Sequence, residues 1–133
     1  MSFRQRRIAR QRPVIAAAPR VVVVGHCASG KSTLVENLRS DGIDAVASAQ
    51  EHSEIAGLWK RSNADLLVYL DVDLETIRER RGRTWPELVF DLQEERLRHA
   101  REEADLVIDT ARHRAEEVFR RARTYVAWWR HFH

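Results

Sequence analysis

Four consecutive valines, Val21–Val24, run directly into Gly25-His26-Cys27-Ala28-Ser29-Gly30-Lys31-Ser32. Such a run suits a strand buried on both faces, the condition of a central strand in a parallel sheet. Glycine follows at once and recurs at Gly30, so the chain turns sharply there. Beyond the turn, Leu34, Val35 and Leu38 stand at helical spacing within Lys31–Arg39. A buried strand turning into an amphipathic helix forms a βα unit. That unit needs a crossover and a parallel neighbour.

The rest of the chain repeats the alternation. Asp41-Gly42 has the turn chemistry to end the first helix. Ile43–Ala47 is predicted as a second strand and Leu66–Leu70 as a third. Between them, Glu54–Arg61 is expected to form a short helix with Ile55, Leu58 and Trp59 inward. Asp73 is a suitable N-cap for a helix reaching about Arg81, and Gly82–Pro86 breaks it. A long charged helix is predicted from Glu87 to about Glu103, with Leu88, Leu92 and Leu97 inward. Leu106–Ile108 follows as a strand, and Arg112 to about Trp129 as a closing helix. The predicted class is α/β: three layers, α/β/α, around a parallel sheet of four to five strands.

A chain of 133 residues fits one domain. Residues 1–20 hold Arg4, Arg6, Arg7, Arg10, Arg12 and Arg20 and no acid. The whole chain is +3, so the remainder carries −3. The expected organisation is a basic, flexible tail over residues 1–19 and a single domain over 20–133. The tail offers at most weak phosphate contact with nucleic acid, and no base-reading motif accompanies it. Cys27 is the only cysteine, which excludes an internal disulfide and suits a reducing cytoplasm. No apolar run approaches the roughly 20 residues of a bilayer-spanning helix.

Gly25–Ser32 satisfies the pattern GxxxxGK[ST] in full, in the strand–loop–helix setting its mechanism requires. Backbone N–H groups turned inward, together with a helix N-terminus, make an anion cradle. The expected ligand is a nucleoside triphosphate, ATP with Mg²⁺. Gly25, Ala28, Ser29 and Gly30 supply the cradle, and Lys31 reaches the β- and γ-phosphates. Ser32 is expected to ligate Mg²⁺, and Thr33 to approach the α-phosphate. Only Lys31 and Lys60 among the 23 basic residues are lysines. A compact ammonium fits inside such a loop where a forked guanidinium does not.

Two acids compete for the metal or base role. Asp71 ends the apolar run Leu66–Leu70, the form of a Walker B strand whose acid holds Mg²⁺ through water. Glu51, with Asp44 and His52, flanks or follows the second strand, and ligands of parallel sheets bind at the carboxyl edge. Arg78, Arg80, Arg81 and Arg83 surround Gly82, placed to stabilise charge on a moving phosphoryl group.

With these residues, the chain resembles the small nucleoside and nucleotide kinase group of P-loop NTPases, of adenylate kinase or shikimate kinase type. The resemblance covers about Val21 to Thr124. It rests on the phosphate loop and on Tyr69–Arg83, which looks like the family's fourth strand, next helix and approach to a compact lid. It implies lid-arginine roles for Arg80 and Arg83 and a phosphate contact for Arg96. It places Asp109 and Thr110 in a loop beside the adenine. If Leu66–Leu70 is that fourth strand, Glu51 rather than Asp71 is the Mg²⁺ or base acid. The implied activity is transfer of the ATP γ-phosphoryl group to a hydroxyl or phosphate of a small-molecule acceptor. The alternative is a regulatory ATP-binding module with no acceptor.

Overall fold

The computed structural model describes residues 19–133; the expected basic tail falls almost wholly on residues 1–18, outside the described residues. Pro19, the last residue assigned to that tail, is buried. Arg20 anchors the start of the domain. Its backbone N–H donates to Asp65 Oδ2 at 2.7 Å, and its guanidinium reaches Asp44 Oδ2 at 3.0 Å.

The elements alternate as expected. They are β1 (Val21–Gly25), α1 (Lys31–Ser40), β2 (Ala45–Ala47), two 3₁₀ turns (Gln50–His52 and Leu58–Ser62), β3 (Leu66–Asp71), α2 (Leu74–Arg81), α3 (Glu87–Glu103), β4 (Leu106–Asp109) and α4 (Ala115–Phe132). The four strands form one all-parallel sheet in the order β2-β1-β3-β4. The chain is therefore α/β.

Strand periodicity sorts the core into two halves. Val21, Val23, Leu66, Val68, Leu70 and Ile108 face α1 and α4 and pack with Leu34, Leu38, Val118, Val126 and Trp129. Val22, Val24, Leu67 and Tyr69 face the other way, onto Trp59, Leu97 and Ala100. Helices thus cover both faces. Trp129 belongs to the first core, whereas Trp128 is half-exposed between Tyr125 and Phe132. Among the described residues, no helix is long and apolar enough to cross a membrane.

Two expectations fail. Glu54–Arg61 is helical only as the 3₁₀ turn that begins at Leu58; Trp59 is buried as expected, whereas Ile55 is 51% exposed. Buried Gln50 replaces the helical pairing. Its Nε2 donates to Ile55 O at 2.7 Å, and its Oε1 accepts from Trp59 N at 3.0 Å. Gly57 adds the backbone freedom that disfavours a helix. On α3 the buried stripe is Gln93, Leu97 and Ala100, while Leu88 and Leu92 are 80% and 46% exposed. Leu92 precedes Gln93 by one residue, which on a helix is about 100° of rotation.

The N-cap of α2 holds as expected. Asp73 Oδ1 accepts from Thr76 N at 2.8 Å, and that bond holds the carboxyl below its ordinary pKa. Asp73→Ala is expected to cost about 1 kcal/mol in urea unfolding at neutral pH. A carboxyl with a lowered folded-state pKa stabilises above its unfolded pKa and loses that contribution as pH falls through the folded value. The gap between wild type and variant therefore closes in acid. A gap that persists there contradicts the cap.

Candidate functional site

All strands point the same way, so their carboxyl ends share one edge. From β1 the chain moves outward to β2, then returns past β1 to β3. That reversal opens a crevice at the end of β1, where open parallel sheets bind ligands. The loop from Gly25 to Gly30 occupies it.

The loop's conformation depends on its small residues. A Cβ on Gly25 would lie 2.7 Å from Leu70 O and from Ser29 Oγ, so only glycine lets the loop pass over β3. Gly30 has φ 97°, a left-handed conformation that side chains disfavour. Ala28 adopts φ 66° despite its Cβ, a departure of a kind that concentrates at ligand clamps.

Lys31 folds back over this loop. Its Nζ donates to Gly25 O at 2.8 Å and His26 O at 3.1 Å, and meets Glu51 Oε2 at 2.6 Å. Both side chains are largely buried, at 13% and 5% exposure. Glu51 arrives there because β2 pairs directly with β1, which brings the 3₁₀ turn after β2 to the loop. Glu51 Oε1 and Ser29 Oγ are buried and have no hydrogen-bond partner among the described residues.

Helix α3 grips the opposite side of the loop. The ring of His26 is fully buried, stacks on Phe90 at 4.5 Å between centroids, and places Nε2 2.6 Å from Glu94 Oε1. Gln93 accepts from Cys27 N at 3.2 Å and donates to Cys27 Sγ at 3.3 Å. Phe90, Gln93 and Glu94 share one helix face. Sequence reasoning missed all three, and missed His26. The only signal was a glutamine on the face that the core required to be apolar.

A cavity of about 440 Å³ opens beside the loop, lined among others by Ser29, Thr33, Arg80, Arg81, Thr110 and His113. Arg80 spans it. Its guanidinium donates to Ala28 O and to Thr110 O, both at 2.7 Å. Arg83 does not reach the loop; it pairs with Glu75 in solvent at 2.7 Å. Arg96 lies behind Glu51, its Nη1 3.4 Å from Glu51 O. Ser32 and Thr33 stand exposed at the first turn of α1. Thr110 is buried against β3, and Asp109 Oδ1 turns back to Ala111 N at 2.9 Å.

Asp71 is engaged elsewhere. Arg101 grips it at 2.8 and 3.2 Å and lies over the Tyr69 ring. Asp71 in turn raises the Arg101 pKa, and burial pushes the Tyr69 hydroxyl up to about 12. Of the two candidate acids, Glu51 is the one brought to Lys31.

Removing one member of a buried pair strands the other. Lys31→Ala is therefore expected to destabilise the ligand-free protein by roughly 3 kcal/mol. Adding Glu51→Gln should recover most of that loss in a double-mutant cycle. Strictly additive effects in denaturant unfolding would show that the pair contributes nothing.

Compared with known proteins, the chain matches no family model and no curated protein sequence.

Proposed function

We propose that Gly25–Ser32 holds the polyphosphate of a nucleoside triphosphate, ATP with Mg²⁺ foremost. In this reading the protein is a small-molecule or nucleotide kinase on a three-layer P-loop NTPase fold. The position of Lys31 supports this best. Its ammonium is fixed over a glycine-bent loop at the mouth of a parallel sheet, balanced by one buried carboxylate. A multivalent phosphate can replace that carboxylate, since charge-assisted bonds to Lys31 and the loop's amides compensate its lost hydration.

The surrounding residues fit such a ligand. Ser29 Oγ and Glu51 Oε1 are buried polar atoms without partners among the described residues. The 440 Å³ cavity lies within the roughly 300–1,000 Å³ of small-molecule pockets and has room for a nucleoside beside the loop. Ser32 is the residue that would hold Mg²⁺. The bound ion would supply charge neutralisation on the β- and γ-phosphates. Arg80, released from Ala28 O and Thr110 O, becomes a cation free to follow charge on the phosphoryl group. Glu51, once parted from Lys31, can accept the proton of an acceptor hydroxyl. Asp71, held by Arg101, serves structure at the end of β3.

Calorimetry with Mg²⁺-ATP on the full chain tests the proposal. Binding is expected, with affinity reduced about tenfold or more in Lys31→Ala, a loss of at least 1.4 kcal/mol. No binding at millimolar ligand would refute it. A panel of nucleosides, nucleotides and hydroxylated metabolites should then elicit acceptor-dependent ADP release. Slow release independent of every acceptor would instead make the protein a regulatory ATP-binding module. Glu51→Gln is expected to abolish Mg²⁺-dependent turnover while Asp71→Asn keeps most of it. The reverse pattern transfers the acid's role to Asp71.

A further inference from the structure

Cys27, Glu51 and His52 bring one soft, one hard and one borderline donor together at the mouth of the loop. Their ligand atoms all lie within 4.8 Å of one another. Cys27 Sγ is 3.6 Å from His52 Nε2, and His52 Nε2 is 3.7 Å from Glu51 Oε2. Zinc–ligand bonds of about 2.0–2.3 Å at tetrahedral angles separate neighbouring ligand atoms by about 3.3–3.6 Å. The separations of His52 Nε2 from Cys27 Sγ and from Glu51 Oε2 therefore stand close to two edges of a metal tetrahedron. The geometry points to a binding site for a zinc-class divalent cation held by Cys27 Sγ, His52 Nε2 and the Glu51 carboxylate, with a fourth position open.

Three observations support the site beyond proximity. Glu51 is 4% exposed, and its Oε1 takes no hydrogen bond among the described residues. Lys31 takes only one lone-pair direction of Oε2, so the carboxylate keeps capacity for a cation without breaking the ion pair. Gln93, 3% exposed, donates Nε2 to Cys27 Sγ at 3.3 Å. A buried donor on sulfur fixes its direction, the task of an outer partner in metal sites. His52 is 59% exposed at its side chain, which leaves the ion a path from solvent.

The donor set decides the class of metal. Thiolate and imidazole select zinc or cobalt over magnesium and calcium, which take oxygen donors. Three protein ligands with an open position resemble a reactive zinc centre more than a closed structural one. Residues 1–18 contain no Cys, His, Asp or Glu, so no further side chain of that class comes from there.

Co²⁺ titration of the chelator-stripped, reduced full chain tests the site with no nucleotide present, so its outcome is separate from that of triphosphate binding. Because Cys27 is the only cysteine, a thiolate-to-cobalt charge-transfer band can come only from it. The expected result is that band, with tetrahedral visible absorption, saturating at one Co²⁺ per chain. Zn²⁺ at equal concentration should displace the cobalt, and Mg²⁺ should not. Cys27→Ser should abolish the band. His52→Ala, an exposed position that leaves the fold intact by circular dichroism, should weaken Co²⁺ binding about tenfold or more. Octahedral cobalt absorption without the thiolate band overturns the proposal. So does unchanged affinity in His52→Ala, displacement by Mg²⁺, or saturation at one ion per two chains.

Discussion

Everything at the site is referred to β1. Val21–Val24 are 0% exposed, and β1 is paired to β2 on one side and β3 on the other. Its residues alternate between the two halves of the core, Val21 and Val23 in one and Val22 and Val24 in the other, so the strand cannot shift without opening both. The chain leaves this fixed point through Gly25, which passes so close to Leu70 O that no side chain is tolerated. The loop is thus tethered at its start by the sheet and at its end by α1, whose Leu34 and Leu38 sit in the first core. Rigid ends let a short loop hold a left-handed alanine that would otherwise relax.

The charges of the loop follow from this anchoring. An ammonium as buried as that of Lys31 requires compensation, and a parallel sheet supplies it from a neighbouring strand end. Because β2 pairs with β1, the turn after β2 delivers Glu51 to Lys31. Because β3 lies on the other flank, Asp71 meets Arg101 near the end of α3 instead. Two acids that look alike in the sequence acquire different partners from strand order alone. Arg80 behaves likewise: its carbonyl partners, Ala28 and Thr110, belong to two separate loops that the shared edge brings together.

What the sequence revealed and what it hid divide along the same physical line. The valine run, the leucines of α1 and the Asp73 cap are local patterns, and they predicted β1, α1 and α2 to within a residue or two. The glycines and Lys31 marked the loop for the same reason. The 3₁₀ segment was hidden because Gln50, polar by type, is buried as a surrogate for backbone pairing. The face of α3 was hidden because its stripe begins at Gln93, while Leu88 and Leu92, the more obvious core residues, face solvent. The choice between Glu51 and Asp71 stayed open because it depends on pairing between segments 20 and 30 residues apart. Short-range periodicity carries no information about that.

The grip of α3 on the loop gives these separate features a common consequence. Phe90, Gln93 and Glu94 hold His26 and Cys27 from one side, while Lys31 and Glu51 close the other. The bonds of Gln93 and Glu94 cross 66 and 68 residues of sequence, and both belong to the charged helix that follows Gly82–Pro86. A displacement of α3 must therefore disturb the backbone N–H of Cys27 and the ring of His26 together. Buried polar contacts of this kind have steep alternatives, since a His26 ring without Glu94 or a Cys27 amide without Gln93 leaves a desolvated group unpaired. The loop and α3 thus form one mechanical unit, and any ligand that reshapes the loop does so against the packing of that helix on the sheet.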